Sequence, residues 1–437
     1  MPTIAAETLG CKVNQYDTQA ILEQFLREGW EAVPFHTAAD VYLINTCAVT
    51  QTGERKSLQA ARRALKTAPG ADIILAGCVA QRDGDKLLST GARLILGMDR
   101  RDEAYALYTE AKEKDTQICA VRPQAKMPAF EPLRISDFQD HTRAVLKIQE
   151  GCDRYCAYCI IPYCRGGIRS RPLTDIAEEA SRLSAHHFRE LVLTGIHLTS
   201  YGRDLEGQTL LEAIRAAAVP GIDRIRLGSL EPVIVDGTFA AGLKDIPQIC
   251  PQFHLALQSG SDEVLRRMRR RYGTDDFRRA VALLREQFPD CAVTTDIICG
   301  FPGETDEDFE KTLSFASEIR FSRIHAFPFS PRRGTLAAGM DGAVPAAKRE
   351  ERVRQLIALG KSSAAAYCAG TVGKRKEVLL EKKSASGTGE GYTREYVHCA
   401  VTGAEDAKAG DIVPVLITGT ETDGVAGKML QPFSPLD

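Results

Sequence analysis

Cys152, Cys156 and Cys159 lie in the stretch Gly151-Cys152-Asp153-Arg154-Tyr155-Cys156-Ala157-Tyr158-Cys159, a C-x3-C-x2-C spacing. Three thiolates this close in one loop can hold three corners of a [4Fe–4S] cube. A ferredoxin pattern would add a fourth cysteine, and none continues this spacing. One iron then lacks a protein ligand, and an open coordination position is where a bound metal does chemistry. Two plainer readings compete. A C-x2-C pair is half of a zinc site, but zinc wants a second pair or a Cys/His partner, and none follows nearby. Cysteines are also often buried and inert. Cys164, five residues after Cys159, falls outside the spacing.

Three more cysteines each follow a strand-like run. Thr3–Leu9 leads into Gly10-Cys11, Val41–Thr46 into Cys47, and Asp72–Ala76 into Gly77-Cys78. Between the first two lies a helical pattern with Ile21, Leu22, Phe25 and Leu26 on one face. Between the second and third, Gly53–Lys66 reads as a helix with Leu58 and Leu65 about two turns apart. Strand–helix–strand–helix–strand implies a parallel sheet with right-handed crossovers, whose strand ends share one edge, where open α/β sheets bind ligands. Cys11, Cys47 and Cys78 either converge there or are separate small residues ending their strands.

From about Ala144 the chain again alternates. Strands read at 144–148, 190–194, 224–227, 253–257, 293–298 and 323–327, with helical patterns between them. Six βα units suggest a partial barrel with its reactive groups at the C-terminal strand ends. The first βα loop carries the C-x3-C-x2-C triad. Thr194-Gly195 follows the second strand, Ser229 and Glu231 the third, and Gln258 the fourth. Asp262 and Thr305, in later rim loops, read equally well as helix N-caps. Cys299 reads as a small buried apolar residue.

After Gly370 the pattern becomes short strands at 376–381, 393–401, 411–418 and up to about Met429, with turn signals at 389–393 and 409–411. This suggests a small antiparallel barrel of the oligonucleotide-binding kind. Its local charge is not basic: residues 371–437 hold 8 Lys and Arg against 10 Asp and Glu. Any RNA grip must therefore use one face, with Lys374, Arg375, Lys376 and Arg394 as contributors. Tyr392 and Tyr396 either stack on bases or belong to the core. Two further basic clusters, Arg165/Arg169/Arg171 and Arg266 to Arg271, either meet phosphate or are solvated faces.

The triad resembles that of the radical S-adenosylmethionine (SAM) enzymes. In that superfamily SAM fills the open iron position and is cleaved to a 5′-deoxyadenosyl radical. The words Leu9-Gly10-Cys11-Lys12-Val13-Asn14-Gln15-Tyr16-Asp17, Asn45-Thr46-Cys47-Ala48-Val49-Thr50, Gly77-Cys78-Val79-Ala80-Gln81 and Phe327–Thr335 resemble the methylthiotransferase family. The resemblance covers nearly the whole chain. It implies an N-terminal methylthiotransferase domain (1–105), a radical SAM core (138–367) and a TRAM domain (370–435). It implies two [4Fe–4S] clusters, one on Cys152, Cys156 and Cys159 and an auxiliary one on Cys11, Cys47 and Cys78, with Thr194, Gly195, Ser229, Glu231 and Gln258 as SAM contacts. Family members insert sulfur at an unactivated C–H bond and methylate it. Their substrates are isopentenyladenosine tRNA, threonylcarbamoyladenosine tRNA or a ribosomal-protein aspartate. Cys11-Lys12-Val13-Asn14-Gln15-Tyr16-Asp17 looks most like the threonylcarbamoyladenosine group. That implies the anticodon loop of ANN-decoding tRNAs as substrate and an electron donor such as flavodoxin or ferredoxin. A non-catalytic two-cluster redox or RNA-binding protein is the rival class.

Composition sets the outer bounds. The chain has 437 residues, 44% hydrophobic and 26% charged, enough for about three globular domains. A formal net charge of −2 gives no compositional sign of nucleic-acid or membrane binding. There is no membrane-spanning apolar run and the N-terminus lacks a signal-peptide pattern. Thirteen cysteines in what reads as a cytoplasmic protein point to metal or redox chemistry, not to disulfides.

Overall fold

The computed structural model describes residues 1–123, 129–138, 141–383 and 388–430. Residues 139–140 of the expected core and 384–387 and 431–435 of the expected TRAM domain lie outside the described residues. The N-terminal sheet contains β1 (Thr3–Thr8), β2 (Glu31–Val33), β3 (Val41–Thr46), β4 (Asp72–Gly77), β5 (Leu94–Leu96) and β6 (Ile118–Ala120). Its order is β2-β1-β3-β4-β5-β6, parallel throughout. Every residue of β3 is buried, as expected of a parallel strand covered on both faces. The helices α1 (Lys12–Arg27) and α2 (Gln51–Thr67) start directly after the sheet edge. Ile21, Leu22 and Phe25 of α1 are buried as the pattern requires, whereas Leu26 is only partly buried. On α2 the buried face is Ser57, Ala60, Ala61 and Ala64, not the leucines. Small side chains let this helix lie close on the sheet, and Leu58 and Leu65 pack along its margin.

The central part contains β7 (Ala144–Glu150), β8 (Arg169–Ser170), β9 (Glu190–Gly195), β10 (Arg224–Leu227), β11 (Gln252–His254), β12 (Ala292–Cys299) and β13 (Arg323–Pro328). Six of these are parallel neighbours in chain order, with β8 added antiparallel to β7. The strands form two sheets, β10-β9-β7-β8 and β11-β12-β13. Single bridges at Ile225–Ile249 and Leu230–Leu255 join them into one open barrel wall. The fourth strand ends at His254 instead of Leu257; beyond it Leu255 bridges to Leu230 and Gln258 to Ile297. Thr305 caps its helix in a capping box with Asp308. Ser261, not Asp262, caps the helix Asp262–Arg267; the Asp262 carboxylate instead accepts from the backbone and side chain of Thr274.

Beyond the long helix Ala346–Ala369, a closed barrel forms from β14 (Arg375–Lys383), β15 (Gly389–Thr393), β16 (His398–Thr402), β17 (Ile412–Glu421) and β18 (Gly424–Met429). The expected strand 393–401 is interrupted, with Thr393 ending β15, a turn at 394–397 and β16 starting at His398, and the expected turn 389–393 is β15. Gly391 explains the misreading. It reads as a breaker, yet a Cβ there would lie 2.0 Å from the Leu379 carbonyl oxygen, so the close β14–β15 approach needs glycine.

This small barrel docks at the N-terminal ends of the central strands. Tyr392 and Tyr396 stack on each other with centroids 4.7 Å apart. The Arg226 guanidinium lies 4.6 Å from the Tyr396 ring centre, and Arg143 lies over both rings. Arg143, Arg224 and Arg226 share the buried Glu190 carboxylate at 3.3, 3.5 and 3.0 Å. The tyrosines are thus packing groups of an interdomain joint. Three of the four expected RNA-binding cations also have protein partners, two of them across the joint. Lys374 pairs with Asp290, Lys376 with Glu395, and Arg394 donates to the carbonyls of Pro247 and Ile249.

The N-terminal sheet and the central barrel are joined by a buried charge network. Asp17 pairs with Lys147 at 2.7 Å and with Arg101. Glu150 pairs with Lys147 and Arg165, both at 2.8 Å. Arg101 also holds Glu131 at 2.6 Å. Three acids face three bases, and every member is less than one-tenth exposed. Burial alone would raise the Glu150 pKa, but Arg165, Lys147 and Arg101 hold it well below the usual carboxylate range. Asp17→Ala removes one carboxylate and leaves buried cations unpaired, a loss typically worth about 3–5 kcal/mol. The urea midpoint read by Trp30 fluorescence, from the chain's one tryptophan, is expected to fall; an unchanged midpoint would mean that the network contributes nothing to stability.

Candidate active site between two cysteine sets

Cys11, Cys47 and Cys78 lie at the C-terminal edge of the first sheet, beyond β1, β3 and β4. They come together there. A Cβ on Gly10 would lie 2.9 Å from the Cys47 sulfur, and each of Cys11 and Cys47 feels the charge of Cys78. Gly77 shapes this edge: its φ is +96°, and a Cβ would lie 2.3 Å from Asn45 Oδ1. Thr46 Oγ1 accepts from the backbone N–H groups of Val79 and Ala80, seating the turn that carries Cys78.

Cys152, Cys156 and Cys159 form the second set, in the loop after β7. Gly151 enters that loop with φ +72°, and a Cβ there would lie 1.8 Å from the Gly167 carbonyl oxygen. The loop is pinned by Cys152 N–H donating to the Gly166 carbonyl and Ala157 N–H to the Met268 carbonyl, both at 3.0 Å. Burial pushes the Cys159 thiol up to about 12 and the Cys152 and Cys47 thiols up to about 11. A coordinated metal is what deprotonates thiols in such surroundings.

Each set has a guanidinium beside it. Arg270 Nη1 lies 3.2 Å from Cys156 Sγ, and Arg165 Nε lies 3.4 Å from Cys78 Sγ. Arg165 therefore reaches from the central barrel to the N-terminal cysteines, and it also donates to Asn14 Oδ1. Among the described residues no three ligand side chains surround a single metal ion. The donor sets suit a cube instead, where each thiolate takes its own iron and the neighbouring cation offsets the added negative charge. Cys164, outside the spacing, is buried within electrostatic reach of Cys78 and Cys159.

The rim residues differ in setting. Thr194 is buried and Gly195 half-buried at the end of β9. A Cβ on Gly195 would lie 2.8 Å from Gln149 Cβ. Gln149 in turn donates to the carbonyls of Glu150 and Gly151 at 2.8 Å and accepts from His197 N–H at 2.7 Å, tying the triad loop to the next rim loop. Ser229 is exposed. Glu231 is buried among Arg270 at 2.8 Å, Arg154 at 3.2 Å and His197 at 3.2 Å. Burial raises its pKa, but the His197 hydrogen bond and the two arginines outweigh this and bring it down to about 2. Gln258 sits at φ +70° beside β12. Phe329 packs on Phe301, and Arg332 from the same segment pairs with Glu54 of α2.

Lys12 and Cys11 keep accessible surface, yet burial shifts both, so they border an enclosed recess. The Lys12 ammonium is brought down to about 8 by burial and then by Arg226 and Arg143. Gln149, Arg165 and Arg154 escaped the sequence reading as site residues. Arg154 lay inside the triad word, Arg165 was marked only as part of a basic cluster, and nothing local marked Gln149. Arg165, Arg169 and Arg171 are buried, which removes them from any RNA surface.

Comparisons with known proteins agree along the chain. Residues 3–97 match Uncharacterized protein family UPF0004, residues 146–316 the Radical SAM superfamily and residues 370–430 the TRAM domain. Threonylcarbamoyladenosine tRNA methylthiotransferase MtaB of Bacillus subtilis is 38% identical over 95% of this chain and 94% of its own. The protein of that name from Thermotoga maritima is 38% identical over 97% of this chain and 96% of its own. The radical S-adenosylmethionine methyltransferase TsrM of Kitasatospora setae shares the fold, with a TM-score of 0.54 at 14% identity over 75% of each chain. No helix among the described residues is long and apolar enough to cross a membrane.

Gly151→Ala is expected to cost the iron held at the second cysteine set while the first set keeps its own; iron and sulfide assays after anaerobic reconstitution check this, and full iron content would show that the loop tolerates the side chain. With three family matches in chain order and whole-length identity of 38%, the chain belongs to the MtaB-like family of tRNA methylthiotransferases, radical SAM enzymes whose cofactors are SAM and two [4Fe–4S] clusters.

Proposed function

We propose that this enzyme adds a methylthio group to C2 of N6-threonylcarbamoyladenosine at position 37 of tRNA. The observation that carries this reading is identity across 95–97% of the chain to two enzymes named for that nucleoside. In this reading Cys152, Cys156 and Cys159 hold the cluster that binds SAM, and Cys11, Cys47 and Cys78 hold the auxiliary one. When bound, these groups supply radical C–H activation, sulfur and the methyl group.

The chain's own residues then have defined tasks. Arg270 and Arg165 offset the charge of the two thiolate sets. Thr194, Gly195, Ser229, Glu231 and Gln258 line the SAM side of the rim. Glu231 stays ionised and fixes Arg154, His197 and Arg270 around Cys156. Lys12 offers a cation in the recess beside Cys11. The threonylcarbamoyl group carries a carboxylate and the isopentenyl group does not, so a cation here favours the former. The anticodon loop of ANN-decoding tRNAs is the proposed target, and flavodoxin or ferredoxin the proposed electron donor.

The test is nucleoside mass spectrometry on tRNA from a strain lacking the gene. Loss of the methylthio form, with threonylcarbamoyladenosine accumulating, is expected; loss of methylthio-isopentenyladenosine instead would overturn the substrate. Two variants separate the cysteine sets. Cys156→Ala is expected to abolish SAM cleavage. Cys47→Ala is expected to keep SAM cleavage and lose thiolation, and normal thiolation from it would remove the auxiliary role.

A further inference from the structure

We propose that the groove between α2 and the 331–334 segment grips the phosphate backbone of the RNA and leads it to Cys47. This rests on the tRNA substrate and goes beyond it by naming the surface. The groove, of about 1030 Å³, lies at the seam between the N-terminal sheet and the central barrel. Its lining holds six cationic and two acidic side chains, in a chain whose formal net charge is −2.

The ion-pair pattern is more telling than the count. Glu54 is shared by Arg82 and Arg332, and Asp83 by Arg82, so both acids are consumed. The Arg82 hydrogen bond keeps Glu54 ionised, with its pKa down at about 2. Arg55, Arg62, Lys86 and Arg333 are exposed, and no hydrogen-bond or ion-pair partner holds their side-chain charges among the described residues. Four solvated cations around one groove match a polyanion. The Glu54 pairs fix the groove's walls, since Arg332 comes from the barrel and Glu54 from α2.

Position favours RNA over an acidic protein. The groove starts where α2 starts, four residues after Cys47, and a Cβ on Gly53 would lie 3.5 Å from the Cys47 sulfur. A nucleotide strand following it arrives at the N-terminal cysteine set. The C-terminal barrel lies at the far ends of the strands, with Lys374, Lys376 and Arg394 already engaged. Backbone grip near the reacting base therefore falls to the groove.

The experiment measures binding of threonylcarbamoyladenosine-containing tRNA to the reconstituted full-length enzyme across a salt series, anaerobically. The variant carries Arg55→Gln, Arg62→Gln, Lys86→Gln and Arg333→Gln. Each lost phosphate contact is expected to flatten the log–log salt slope by about 0.7–0.9. Loss of all four weakens binding on the order of a hundredfold near 0.15 M salt. A second variant with Arg55→Lys, Arg62→Lys and Arg333→Lys keeps the charge and is expected to retain the wild-type slope, which separates charge loss from misfolding. An unchanged slope in the glutamine variant overturns the proposal and leaves the substrate reading intact. Wild-type protein that binds no tRNA overturns the substrate reading itself. A glutamine variant that binds tRNA normally but needs dithionite in place of flavodoxin makes the groove an electron-donor dock, which also overturns the proposal.

Discussion

Six buried charges hold this enzyme's geometry together. Asp17, Arg101 and Glu131 from the N-terminal part meet Lys147, Glu150 and Arg165 from the barrel with no excess of either sign. Burying that many ions is costly, and an apolar seam would often be as stable. An apolar seam would also tolerate sliding, whereas paired charges at fixed distances do not. The network lies directly beneath both cysteine sets: Glu150 precedes Gly151-Cys152, and Arg165 touches Cys78. Its specificity therefore sets the relative placement of the two sets.

Much of this was legible in the sequence. Gly10-Cys11, Gly77-Cys78 and Gly151-Cys152 announce themselves because glycine reverses the chain just before a cysteine. The parallel order of β1, β3 and β4 follows from alternating apolar runs and helical patterns. Local signals of this kind depend on neighbours in the chain, so they survive without a structure.

The misread parts have a common physical cause. Arg165, Arg169 and Arg171 looked like a basic surface because a single sequence does not show Glu150 and Glu179 waiting in other elements. Lys374, Lys376 and Arg394 looked free for the same reason. The centre of the buried face of α2 falls on its alanines and not on Leu58 and Leu65, because leucine outranks alanine in a hydrophobicity count although alanine permits the closer approach. In the C-terminal barrel, Gly391, which reads as a turn, sits inside a strand because the neighbouring backbone passes too near for a Cβ.

The stacked Tyr392–Tyr396 pair has a further consequence. With Arg143, Arg226 and Glu190 it stoppers the lower mouth of the barrel. The barrel becomes a vessel filled and emptied from the rim side. Both cysteine sets open toward that side, so whatever binds at them shares one approach, and one tenant's departure clears the way for the next. Turnover is then set by passage through a shared doorway as well as by bond chemistry.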